Sequence, residues 1–199
     1  MNFSAVALLM IVSTGFGPPA LAEMSKSPPP QVKSCESCHG KEGNSTDLYT
    51  PRLNGQPSTY LLNRLRELTD FKKETPHATT AMFSQAHRNA NSASQFADYF
   101  SRQKATPAQR QPGASSDEGA RLVAEGDPSN DVKACASCHG PGAVGLGAAP
   151  RLAGQHKSYL ETQLWDLFLK LRQNSTMHPV AGRLSADQIR ALINYLGAD

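Results

Sequence analysis

No stretch of this 199-residue chain alternates apolar and polar residues for long enough to make a convincing β-strand, and no apolar run continues far enough for a comfortable transmembrane helix. Charge of one sign is scarce: 20 Lys and Arg face 17 Asp and Glu, and the basic residues are scattered rather than gathered into a stripe, which excludes nucleic acid as the partner. No nucleophile with an evident base and no paired carboxylates stand out, so ordinary hydrolytic chemistry is not indicated. Cysteine is limited to four, and all four fall in two short stretches. What remains is a soluble, loop-rich composition, 39% hydrophobic and 19% charged with 15 Gly and 14 Pro.

The first 22 residues hold no Lys, Arg, Asp or Glu. Ala5 to Val12 form an apolar centre, Gly15, Gly17, Pro18 and Pro19 interrupt it, and Ala20-Leu21-Ala22 matches the small-x-small pattern of a secretory cleavage site. Residues 1–22 therefore read as a secretory signal peptide and the protein as periplasmic, the alternative being a leader retained as an anchor. Residues 23–30, with Pro28-Pro29-Pro30, read as an extended tether.

The rest of the chain repeats itself. Residues 35–40 read CESCHG and residues 135–140 read CASCHG; PRLNGQ at 51–56 is answered by PRLAGQ at 150–155. Four residues past each Gln stands a tyrosine, Tyr60 and Tyr159, followed by leucines at helical spacing. Each copy then has one methionine, Met82 or Met177, and a last helix whose start is signalled by a capping box, Ser92 with Gln95 or Ser185 with Gln188. The spacing predicts two tandem all-α domains, 31–101 and 118–199, joined by a Pro/Gly/Ser linker at 102–117. A short helix over Glu118–Glu125 opens the second domain and has no visible counterpart in the first. Each domain is near the size at which an apolar core alone is marginal and a bound cofactor helps.

Two Cys-x-x-Cys pairs in an exported chain raise disulfides, zinc and thioredoxin-like chemistry. Zinc would need ligand pairs from two domains to converge, and a thioredoxin-like site needs a βαβ setting that is missing. None of the three explains why His39 and His139 follow immediately both times. Covalent haem does: two thiols three positions apart on a helical turn reach the vinyl groups on one porphyrin edge, and the next residue sets its imidazole under the iron. Cys35, Cys38, Cys135 and Cys138 are thus the attachment points of two haem c groups, with His39 and His139 as axial ligands. The matched positions of Met82 and Met177 nominate them as the sixth ligands, with His77, His87 and His178 as rivals. Pro51 and Pro150 offer a carbonyl to the imidazole N–H, or are simply turn prolines. Arg52 and Arg151 pair with haem propionates, or are surface charges. His156, near the start of a helix, has no special claim.

These residues, from CESCHG and PRLNGQ to Met82 and Tyr99-Phe100 and from CASCHG and PRLAGQ to Met177 and Tyr195-Leu196, make residues 31–199 resemble the dihaem cytochrome c4 family. The resemblance implies two class-I cytochrome c domains, His39/Met82 and His139/Met177 ligation, haems near a pseudo-twofold interface, and a non-enzymatic one-electron shuttle between respiratory partners such as the bc1 complex and a haem-copper oxidase. Two other readings stay open: a dihaem enzyme of the sulfur-compound dehydrogenase or peroxidase type, and a fixed electron-transfer subunit of a membrane enzyme, with membrane association through that partner or the leader. The missing N-terminal helix of the first domain implies a haem side that is looser or completed by a partner protein.

Overall fold

In the computed structural model, residues 28–70, 80–110 and 112–199 are described, so the proposed leader and most of the tether lie outside them. The architecture is all-α in two units. The first contains α1 (Val32–His39), α2 (Ser58–Glu67), α3 (Thr80–Arg88) and α4 (Ala93–Ser101); the second contains α5 (Ala114–Ala124), α6 (Ala136–His139), α7 (Lys157–Phe168), α8 (His178–Ala181) and α9 (Ala186–Leu196). Among the described residues, extended pairing is confined to two isolated bridges, Asp127 with Val132 and Leu146 with Ala149.

Each unit closes around its own apolar cluster. In the second, Leu160 of α7 and Ile189, Leu192, Ile193 and Leu196 of α9 meet Leu122 and Val123 of α5. The positions on α9 recur at three and four residues, which places them on one face. Its start is fixed by the predicted capping box: Ser185 Oγ accepts from Gln188 N at 3.1 Å and Gln188 Oε1 accepts from Ser185 N at 2.9 Å. Helix α5 crosses α9 so closely that a β-carbon at Gly119 would lie 2.2 Å from the Ala191 carbonyl oxygen. Only glycine permits that approach.

The first unit is smaller, with Val32, Leu61, Phe96, Ala97 and Phe100 buried together. Its last helix departs from the predicted pattern. Ser92 closes a 3-10 turn (Ala90–Ser92) at φ −104° and ψ 4°, and its side chain caps nothing. An N-cap hydroxyl reaches the N3 amide from extended backbone, and Ser92 is not extended. The true correspondence is shifted by three residues: Gly55 N donates to Phe100 O at 2.9 Å and Gly154 N donates to Leu196 O at 2.7 Å, so Phe100 matches Leu196. In that register Gln95 occupies the place of Ala191, the residue that α5 covers in the second unit. Ala191 is buried, whereas Ser94 and Gln95 are exposed. Among the described residues no helix covers this face of the first unit, and Ser94 and Gln95 on it are polar and exposed.

Two boundaries also differ from the sequence reading. Pro29 O accepts from Val32 N at 2.9 Å, which makes the end of the supposed tether a turn leading into α1. Residues 114–117 are the first turn of α5 rather than linker. The linker itself is pinned to the first unit, since Asn54 Nδ2 donates to Lys104 O at 2.8 Å and to Thr106 Oγ1 at 3.1 Å, while Thr106 Oγ1 donates to Asn44 Oδ1 at 3.0 Å.

Candidate haem centres and the interface between them

The CxxCH motifs end α1 and form α6. In both, the first cysteine (Cys35, Cys135) is half-buried against its unit's core, the second (Cys38, Cys138) is exposed, and no disulfide joins any of the four. Burial pushes the Cys35 and Cys135 thiols above their ordinary pKa, so before haem attachment they are in the thiol form. Residues three apart on a helical turn share a side, which lets both thiols of a motif address one edge of a flat ligand.

His39 and His139 are buried, and each has a proline carbonyl at its back: His39 Nδ1 to Pro51 O and His139 Nδ1 to Pro150 O, both 2.8 Å. A carbonyl only accepts, so Nδ1 carries the hydrogen and the lone pair is on Nε2, the nitrogen left to bind iron. Burial holds both imidazoles below their usual pKa, against the opposing effect of the proline carbonyl, and the neutral ring is the ligating form.

The two methionines are held differently. Met82 lies in the first turn of α3 and is half-buried. Met177 immediately precedes α8, also half-buried, and its N–H donates to Asn174 Oδ1 at 2.9 Å. Of the rival histidines, His77 lies outside the described residues. His87 Nδ1 lies 3.0 Å from Phe83 O on an exposed part of α3, and His178 Nε2 lies 2.5 Å from Arg172 O.

Arg52 and Arg151 do not go to the surface. The Arg52 guanidinium donates to Gly154 O at 2.8 Å and Ala198 O at 3.1 Å in the other unit, and Arg151 Nε donates to Ala153 O at 2.9 Å with its Nη2 reaching Thr106 O at 3.4 Å. They brace the interface. Gly154 sits at φ +80°, and a β-carbon there would overlap the Thr106 carbonyl, which explains the glycine in PRLAGQ. Between the arginines the two glutamines of the repeated motif, Gln56 and Gln155, cross from one unit to the other.

Sequence reasoning passed over these glutamines and His156, although the repetition of PRLxGQ was the available signal. His156 is buried; its Nε2 donates to Ser45 O of the first unit at 3.0 Å, and its Nδ1 has no partner. Burial first, then the nearby Arg52 charge, hold its pKa below the ordinary value. The folded state therefore binds this proton less readily than the unfolded chain. The resulting stability is complete above about pH 6.5 and is lost as pH falls through the lowered folded value. His156→Gln keeps a donor for Ser45, so its melting temperature is expected to fall less between pH 7 and 5 than that of the parent. Parallel melting curves in the two proteins would remove His156 as the cause.

The residues suit haem on a further count. Arg172, buried beside Tyr60 and Tyr159 and hydrogen-bonded to Gln163, leaves its Nε without a partner. An unpaired buried guanidinium donor suits a carboxylate, and haem carries two.

Two CxxCH sites, each with a proline-anchored histidine in an all-α unit, define a dihaem c-type cytochrome. A family model described as cytochrome c oxidase, cbb3-type, subunit III matches residues 116–196. The chain is 37% identical to a thiosulfate dehydrogenase electron acceptor of Thiomonas intermedia (85% of this chain, 80% of that one) and 31% identical to cytochrome c4 of Pseudomonas aeruginosa (81% and 82%). The solved cytochrome c4 of Acidithiobacillus ferrooxidans superposes with a TM-score of 0.75 at 29% identity, covering 82% of this chain and 98% of that one. The chain belongs to the cytochrome c4 family of dihaem electron-transfer proteins and carries two covalently bound haem c groups.

Proposed function

We propose that this chain is a periplasmic one-electron shuttle, exported by way of the 1–22 leader, that passes electrons between respiratory partners such as the bc1 complex and a haem-copper oxidase. When bound, each haem supplies a one-electron Fe(II)/Fe(III) couple. Cys35 and Cys38 anchor the first and Cys135 and Cys138 the second through thioethers, His39 and His139 supply nitrogen, and Met82 and Met177 supply sulfur. The observation that carries this reading is the duplicate histidine–proline geometry, 2.8 Å in both units, which equips both halves alike for electron transfer. All four cysteines belong to the two motifs, so none remains as the thiolate of a sulfur-oxidising centre.

The 37% identity to a thiosulfate dehydrogenase electron acceptor favours a second donor, a thiosulfate-oxidising enzyme. Stopped-flow oxidation of the reduced protein by membranes containing a haem-copper oxidase tests the shuttle. Rapid oxidation, with no turnover of thiosulfate unless a dehydrogenase is added, is the expected result. Thiosulfate oxidation by the purified protein alone would make it an enzyme and overturn the proposal.

A further inference from the structure

The peptide unit joining Pro51 to Arg52 has both of its hydrogen-bonding ends engaged. Its carbonyl accepts from His39 Nδ1 at 2.8 Å, and its N–H donates at 2.8 Å to Gln155 Oε1, which comes from the other unit. The arrangement is reciprocated. The Pro150–Arg151 carbonyl accepts from His139 Nδ1 at 2.8 Å, and its N–H donates at 2.9 Å to Gln56 Oε1 of the first unit. Each glutamine then closes its ring of bonds by donating Nε2 to the arginine carbonyl that follows, Gln155 to Arg52 O at 3.0 Å and Gln56 to Arg151 O at 2.8 Å. Gln155 Oε1 is held further by the amide of His156 at 3.1 Å. Both glutamines are only 5% exposed, so water does not compete for these bonds.

An amide is one conjugated group. Drawing its N–H toward an acceptor moves electron density onto its oxygen, and that oxygen becomes a better acceptor for the next donor in line. Here the next donor is the imidazole N–H of a haem ligand. A stronger bond at Nδ1 makes the ring more electron-rich at Nε2, which favours ferric over ferrous iron.

We propose that the two glutamines are crossed positioning residues: Gln155, in the second unit, sets the potential of the haem on His39, and Gln56, in the first unit, sets that of the haem on His139. Docking of the units thereby becomes part of each couple, and a change in one unit's glutamine is read at the opposite iron. The inference rests on the assignment of His39 and His139 as iron ligands.

The test uses the holoprotein with Gln155→Leu, Gln155→Glu and the same pair at Gln56, each titrated electrochemically while NMR follows the haem methyl resonances of the two halves separately. Leucine removes the acceptor and glutamate supplies a stronger one. Gln155→Leu is expected to raise the Fe(II)/Fe(III) ratio of the first haem on the order of threefold at fixed ambient potential, and Gln155→Glu to lower it, with the second haem shifted less. The Gln56 pair should do the same to the second haem. Mere loosening of the interface would move both haems in the same direction for leucine and glutamate alike, and that result would overturn the proposal, as would a larger shift in the haem of the substituted unit. The ligand assignment is tested apart, in the parent protein: hyperfine-shifted Nδ1 protons of His39 and His139 support it, and their absence removes it whatever the glutamine variants do.

Discussion

A protein in which Cys35 and Cys38 are both serine is expected to mature with one haem instead of two and with its first half unfolded, while Cys135→Ser with Cys138→Ser should leave a partly helical second half. The asymmetry follows from the cores. Among the described residues, five form the buried cluster of the first unit and ten that of the second, and burying a large aliphatic or aromatic side chain is worth about 1.5–3 kcal/mol. The second unit also has α5 locked across α9 at Gly119, a contact with no equivalent among the described residues of the first. Cys35 packs on the first core and α1 carries the whole attachment motif, so losing the haem there removes the group around which a marginal unit closes. Intact-mass measurement counts the haems, and hydrogen exchange resolved by segment reports which half is protected. Full protection of residues 32–101 in the variant lacking the first pair of thiols would show that the core alone suffices.

The contact of each motif's histidine with a proline carbonyl was legible because it is local. Two thiols, an imidazole and a proline carbonyl 12 or 11 residues on are set by short stretches of chain, and the repetition makes coincidence untenable. The interface was not legible for the opposite reason. Arg52 looks like any surface cation until the other unit presents the Gly154 and Ala198 carbonyls to it, and the partner of Gln56 lies 95 residues away. His156 is a helix-start residue in sequence and a buried bond to Ser45 in space. The Ser92 capping box failed because Ser92 closes a 3-10 turn instead of entering α4 from extended backbone, and pairing it with Ser185 set the last helices three residues out of step, as the bonds from Gly55 and Gly154 reveal. Ser94 and Gln95 are polar at the positions that correspond to the part of α9 covered by α5, a difference between the two units that shows only once the last helices are in register.

Met177→Ala and Met82→Ala are expected to lower the potential of the second and first haem respectively, on the order of hundreds of millivolts, because a thioether ligand favours ferrous iron and the axial ligand is the strongest control a protein has over the couple. The surroundings make the two losses unequal. Beside Met177, the turn is fixed by Asn174 Oδ1, which accepts from both Thr176 N and Met177 N, and by Pro179 at the start of α8. The adjacent His178 has its Nε2 engaged with Arg172 O and cannot swing in without breaking that contact. Met177→Ala should therefore leave a weak-field site that takes water or an added small ligand. Met82 lies on α3 with His87 five residues on in the same helix, its Nδ1 bonded to Phe83 O, so His87 reaches the iron only if the end of α3 rearranges once the thioether is gone. Met82→Ala is then expected to remain low-spin through capture of a histidine nitrogen, and Met82→Ala with His87→Ala to become high-spin like the Met177 variant. Redox titration with electron paramagnetic resonance separates these states. Potentials unchanged in both single variants would remove the methionines as ligands, and a high-spin Met82→Ala would remove His87 as the replacement while leaving Met82 in place.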